Sequence, residues 1–545
     1  MTSSEPVLDV TGEESTEAPI SFLGSTSLIS IATIASTALG LVKNKLFTQL
    51  FSTASLDPFF AAFQIPDFIF RIIITGAIAS AFIPVMLEVR EGKGNKTAIK
   101  FIQNTLNITV IALSCFSILF YFLLPILMPA IVPGFSTPMQ ETTVRLSRIM
   151  LFSPVLLGLS IVIRSTLNAY KKYLTIAITI AFYNIGIILG IILFTKFGMG
   201  EDALAWSVVL GAGLGLVVQF PAMYKLKIRP STYINLHDKD IHTMAKLALP
   251  RFFGLAIIQF GFIIDTALAS RFGTGSVSAI KFGLLVQDLP INFFAIPASV
   301  VAFPSLVEFV ARKQFNKATE ATIFALRQTM FFIMPIMVFM LFFANTIMEV
   351  LFGGKRLTPL EIATSANVLR LFTVSFIAQG FVYILVKAFF ALKDTKTPVV
   401  LNTCAIIGKV LLALFAIWVV KTIYPLPDEI GVLILPFTFS LGQIVNAILL
   451  IIFLKKKIPI DSTLFSGFLI KMVVGCTAMA GSIILIAFLL PSTVPSWISM
   501  GIEGTIGGGV FLLVAFILKI EEFVTVLKGV QRRFLLTKKP KNSSS

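Results

Sequence analysis

Runs of about 20 apolar residues return along the chain from residue 22 to residue 519, each long enough to cross the hydrocarbon of a bilayer as one helix. No other feature constrains the fold so tightly, because backbone polar groups in hydrocarbon must be satisfied within the segment itself. Fourteen segments are counted, roughly 22–51, 58–89, 98–125, 143–169, 174–194, 203–224, 246–270, 277–310, 320–345, 359–391, 397–420, 430–454, 464–490 and 496–519. With 56% hydrophobic and 13% charged residues among 545, a water-soluble body would lack the polar groups to cover itself. The short alternating segments of a β-barrel are missing. The expected fold class is all-α, a polytopic membrane protein.

The net charge of +17 raises the question of nucleic acid, but the excess sits in short connections between apolar segments. One alternating set of connections, with the C-terminal end, holds 26 Lys and Arg residues; the other holds five, Lys196, Arg271, Lys355, Arg356 and Lys421. This asymmetry orients the chain with both termini in the cytoplasm and argues against a nucleic-acid partner. Trp206, Trp418 and Trp497 then fall near the outer ends of their spans, where interfacial rings belong. Residues 1–21 are acidic and without a basic residue, which predicts a disordered tail and no secretory signal. Cys115, Cys404 and Cys476 lie in apolar segments and His237 and His242 share one loop, so neither a disulfide framework nor a metal site is expected. No nucleophile–base arrangement or nucleotide-binding loop is present, and the chain is read as a non-enzyme.

An internal repeat runs at a spacing of about 220 residues. AFIPVMLEVREGKGNKTA (81–98) parallels VAFPSLVEFVARKQFNKAT (301–319), FSTAS (51–55) parallels FGTGS (272–276), and Arg164 parallels Lys387. Each copy holds six spans, the layout of transporters that rock two lobes around a central cavity. The domain boundaries that follow are an acidic tail over 1–21, an N-terminal lobe over 22–230, a C-terminal lobe over 231–460, two extra spans over 461–525, and a basic tail over 526–545.

The spans also carry charge, which costs several kcal/mol in hydrocarbon unless it meets a partner or water. Arg71 lies about 13 residues into span 2, roughly 20 Å deep at 1.5 Å per residue. Lys43 and Lys45 are two residues apart and point to different faces of span 1; Lys43 is the cavity candidate and Lys45 an outer anchor. Asp57, followed by Pro58, is expected to cap the start of span 2, a role compatible with facing the cavity. Asp67 stands one turn from Arg71 and predicts an ion pair. In the second lobe Asp265, Lys281, Asp288 and Lys409 lie within spans 7, 8, 8 and 11. Lys281 is expected at the outer interface and Asp288 at a Pro290 break facing the cavity. Arg164 and Lys387 are expected to snorkel at cytoplasmic ends. Pro66, Pro84, Pro290, Pro297 and Pro304 predict kinks in spans 2 and 8. A cavity lined by Lys and Arg suits an anionic cargo, pyrophosphate among them.

The stretch LGLVKNKLFTQLF…LDPFFAAFQIPDFIFRIIITGAIASAFIPV, with IIDTALASRFGTGSVSAI and ALKDTKTPV, resembles the MurJ (MviN) lipid II flippases of the multidrug and oligosaccharidyl-lipid exporter superfamily. The resemblance implies export of a polyprenyl-pyrophosphate glycolipid, the peptidoglycan precursor lipid II, across the inner membrane of a bacterium. It implies substrate-binding roles for Lys43, Asp57, Arg71 and Asp288, with Lys281 a candidate to make up for missing basic residues, and a lipid-tail groove built by spans 13 and 14. Membrane lipids and cell-wall synthesis proteins are the further partners it implies, and no cofactor is called for. The departures are Phe70, Leu284-Leu285 and Thr37, where the family's usual arginines are missing. Some members hold sodium near an acid of helix 7; Asp265 matches it, but Lys409 lies opposite, and the expectation is that its ammonium replaces the ion. Sodium or the membrane potential remain the candidate driving forces. The competing readings are a flippase for another polyprenyl-pyrophosphate glycan, a cation-coupled exporter of amphipathic small molecules, and a membrane scaffold.

Overall fold

The computed structural model describes residues 22–72, 79–459, 463–491 and 493–524. The two expected tails, 1–21 and 526–545, lie outside these residues. The described chain is helical almost throughout, because hydrocarbon leaves the backbone no other local partner.

Span 1 is α1 (Phe22–Leu50). Span 2 is broken into α2 (Thr53–Ala62), α3 (Gln64–Ile69), a π-helical turn over 70–72, and α4 (Ala79–Lys93). Next come α5 (Asn95–Ile131), the pair α6 (Thr137–Met150) and α7 (Phe152–Ala169), α8 (Tyr173–Lys196), and the pair α9 (Asp202–Val217) and α10 (Phe220–Lys225). The second half repeats this order. It runs α11 (Lys239–Ala269); then α12 (Ser276–Pro290), a π-helical Ile291–Ala295 and α13 (Ile296–Ala311); then α14 (Phe315–Phe352). It ends with the pairs α15 (Pro359–Thr373) and α16 (Phe376–Ala391), then α17 (Lys396–Thr422), then α18 (Asp428–Gly431) and α19 (Ile434–Lys455). Two further helices, α20 (Thr463–Leu489) and α21 (Ser496–Ile517), close the chain.

Among the described residues ten helices are long and apolar enough to cross a membrane, or eleven if α15 and α16, bent by 45°, form one span. The other three expected segments are α1, α2–α4 and α11, which include residues whose side chains lie outside the described set. Several helices outrun the expected spans: α5 reaches Ile131, α6 starts at Thr137 and α14 covers Phe315–Phe352.

The two breaks fall at corresponding places. A shift of about 220 residues carries the π turn at Phe70 onto the one at Ile291. Pro66 and Pro290 lie just before them; a proline lacks the N–H that the ladder needs, so the register slips there. Elsewhere helices pack through small residues, since lipid supplies no hydrophobic drive between them. A Cβ on Gly186 of α8 would sit 2.7 Å from the Gly211 Cα of α9, so only glycine permits that approach. The pair α20–α21 fastens onto α14. Phe511 meets Phe331 at 5.7 Å between centroids, and Arg327 Nε lies 2.7 Å from Glu522 Oε1.

Candidate functional site

At the end of the bundle poor in Lys and Arg, hereafter the outer end, the two halves are latched by a carboxylate. Asp57 is fully buried. Its Oδ2 accepts from the Gly275 N–H at 2.6 Å, and its Oδ1 accepts from the Ser278 N–H at 2.7 Å and the Ser278 hydroxyl at 2.5 Å. This corrects the expectation that Asp57 caps its own span. Helix α2 already starts at Thr53, so Asp57 lies inside it and instead satisfies the free N–H groups at the start of α12, 218 residues away. A negative charge there also meets the positive end of the α12 dipole. Gly275 makes the approach possible, with φ at +96°, where a side chain is strained.

Two further contacts close the same seam. The Thr53 hydroxyl donates to Glu361, which also forms a capping box with Thr358 at the start of α15. Lys45 donates to the Glu349 carbonyl at 3.2 Å, to the Val350 carbonyl at 2.9 Å and to the Gly353 carbonyl, capping the end of α14. Lys45 thus ties α1 to the end of α14, in the other half.

Below the latch lies a group of intramembrane charges. Arg71 Nε is 2.7 Å from Asp67 Oδ2, the pair expected from their spacing, and the Arg71 side chain is 57% exposed despite its depth along span 2. The other half answers with Gln259, whose amide donates to Asp67 at 3.2 Å, and with Thr266, whose hydroxyl accepts from Gln64 at 2.8 Å. Lys281 stands in the joint field of Asp67, Asp265, Asp288 and Arg71. It was expected at the interface; the direction of α12 turns it inward instead, one face and two turns above the exposed Asp288. Tyr183 of α8 lies within electrostatic reach of Asp67, and Tyr383 of α16 within reach of Asp288.

Asp265 is engaged by Lys409, whose ammonium lies 2.8 Å from both carboxylate oxygens and 5.6 Å from the Phe439 ring centroid. An ammonium already occupies the place where a sodium ion would need the carboxylate, so these residues do not fit that ion. Lys43 stands apart: half-buried on α1, it makes no hydrogen bond or ion pair among the described residues. Lys387 rests over the Phe303 ring at 5.1 Å.

The structure therefore brings Arg71, Lys281, Asp265, Asp288 and Lys409 together and places Asp57 above them. The basic bias is small, because Asp67 offsets Arg71 and Asp265 offsets Lys409, the pairs that the sequence led one to expect. What remains is a set of ammonium and guanidinium donors beside acceptor-only carboxylates, suited to phosphate oxygens and to hydroxyl or amide groups at once. Gln259, Tyr183, Tyr383 and Ser278 escaped the sequence reading, which searched the spans for charge. Neutral polar residues in apolar helices were the available signal.

The family model described as "Lipid II flippase MurJ" matches residues 46–500. A probable lipid II flippase MurJ from Buchnera aphidicola subsp. Acyrthosiphon pisum is 28% identical over 377 residues, 68% of this chain and 73% of the relative. The lipid II flippase MurJ of Burkholderia cenocepacia is 24% identical over 437 residues, 79% of this chain and 83% of the relative. Among solved structures, a lipid II flippase MurJ in an inward closed conformation superposes with a TM-score of 0.74 at 24% identity, over 90% of this chain and 98% of that one. An inward-facing multidrug resistance MATE family transporter of the MOP superfamily gives 0.64 at 14% identity, over 81% and 98%. At these identities the structural likeness speaks for the fold.

Proposed function

Because the chain belongs to the MurJ lipid II flippase family, a family of membrane transporters and not of enzymes, we propose that it moves lipid II from the inner to the outer leaflet by alternating access. The observation that carries the reading is the meeting of Arg71 and Lys281 with Asp67 and Asp288 between two similar halves. A pyrophosphate finds cationic donors there, and the sugar and peptide groups find carboxylates and tyrosines. The latch at Asp57 is the outward gate in its closed position, the two π turns are its hinges, and Lys43 meets the cargo from span 1. Both termini lie in the cytoplasm on this reading, and α20–α21 take the polyprenyl tail.

Transport is sodium-independent in this proposal, since Lys409 holds Asp265 as a built-in cation. A second reading is another polyprenyl-pyrophosphate glycan, which presents the same pyrophosphate to Arg71 and Lys281 and differs in the sugars it offers to the carboxylates and tyrosines. Complementation of a flippase-depleted bacterium separates the two. Rescue by this chain and loss of rescue in Arg71→Ala support lipid II; failure of a well-expressed, membrane-inserted chain to rescue points to the other glycan. Rescue that needs external sodium would remove the role given to Lys409.

A further inference from the structure

The outer ends of α5 and α6 enclose a cavity of about 680 Å³, lined by none of the charged residues gathered between the halves and within the size range of small-molecule sites. Its walls are mixed. Pro125, Met128, Pro129 and Val144 are apolar, while Glu141 and Arg148 supply opposite charges. Its level in the bilayer follows from the chain below. From Ile149 to Ala169 the fourth span offers about 30 Å of helix at 1.5 Å per residue, the thickness of the hydrocarbon. Arg148 therefore stands at the outer hydrocarbon edge, where lipid phosphates lie. Trp206 stacks on Phe152 at 6.3 Å beside the cavity, as an interfacial ring should.

The neighbouring arginines differ in what holds them. Arg145 is committed, its Nε 3.0 Å from Asp202 and its NH2 3.5 Å from Glu201. Arg148 has no carboxylate partner among the described residues. Its guanidinium lies 4.5 Å from the Tyr121 ring centroid, and its Nε donates to the Tyr121 carbonyl at 3.4 Å, which fixes the fork and leaves its outer edge for a ligand. Glu141 lies two turns nearer the outside on the same helix face, about 10 Å along the axis. The nearby carboxylates Glu141, Glu201 and Asp202 outnumber the two arginines, so a purely anionic ligand meets net repulsion. A ligand with an inner phosphate and an outer amine meets complementary charges at both ends.

We propose that this cavity is an outer-leaflet binding site for an aminophospholipid, with its phosphate on Arg148, its ammonium on Glu141, and the start of its acyl chains against Ile149 and Phe152. The site is separate from the cargo path, so it stands or falls without the transport reading.

Native mass spectrometry of the purified full-length chain, titrated with palmitoyl-oleoyl phosphatidylethanolamine, phosphatidylglycerol or phosphatidylcholine, tests it. The ethanolamine lipid should be retained most tightly, Arg148→Ala should weaken it about tenfold or more, and Glu141→Gln should erase its advantage over the other two. Arg148→Lys, which keeps the charge and folds more safely, should fall between wild type and Arg148→Ala. Equal or tighter retention of phosphatidylglycerol by the wild type overturns the proposal. So does unchanged retention in a folded Arg148→Ala variant, and so does free phosphoethanolamine binding as well as the whole lipid.

Discussion

Removing the Asp57 carboxylate should open the outer end of the molecule. The latch consists of three hydrogen bonds at 2.5–2.7 Å from Gly275 and Ser278 to a fully buried carboxylate. A hydrogen bond to a charged group contributes about 1.5–3 kcal/mol net, and a buried donor left without a partner costs about 1–3 kcal/mol. Three bonds at the low end make about 4–5 kcal/mol in favour of the closed outer end, roughly a thousandfold in the closed-to-open ratio. Asp57→Ala forfeits all of it. Ser278→Ala removes one bond and should shift the ratio about tenfold, with Asp57→Asn between the two because its amide retains one acceptor but presents a donor to donors. Spin labels at Ser55 and Thr274, on either side of the seam, read the outcome by pulsed electron resonance in a background lacking Cys115, Cys404 and Cys476. The longer-distance population should grow in the order Ser278→Ala, Asp57→Asn, Asp57→Ala. Three distance distributions indistinguishable from wild type would refute the reasoning, since the latch would then contribute nothing to the closed state.

Lys409→Ala should lower thermal stability by about 2–4 kcal/mol, less than a fully buried pair because Asp265 remains 21% exposed, while Lys409→Met with Asp265→Asn recovers most of it; a double variant no more stable than the single one would contradict the pairing argument. Arg327→Ala strands Glu522, whose side chain is 1% exposed, so α20–α21 should loosen from α14 and show faster hydrogen exchange, with other helices unchanged. At the Lys- and Arg-rich end of the bundle, Lys457 and the Thr397 backbone and hydroxyl groups hold the Asp394 carboxyl well below the usual carboxylate range. A depressed folded-state value stabilises the fold above the unfolded carboxylate pKa of about 4 and is lost as pH falls below it, so acid unfolding below about pH 4 should become shallower in Asp394→Asn.

The sequence determined the all-helical, membrane-spanning class and the order of its segments, because hydropathy and helical rise are local properties that need no knowledge of neighbours. It also placed Asp67 one turn from Arg71, and their pair formed as that spacing requires. The repeat was visible in matching prolines and glutamates, and it carries over to the matching π turns. Only the tertiary structure decided which partner each charge meets. Asp57 looked like the cap of its own helix, yet the free N–H groups it satisfies belong to a helix two hundred residues on. Lys281 looked interfacial, yet the turn of α12 brings it among Asp67, Asp265 and Asp288. A side chain's position along a span follows from the chain, whereas its azimuth and its partner follow from how helices cross. Crossing is settled by small-residue contacts such as Gly186 on Gly211, which join segments that the one-dimensional pattern cannot relate.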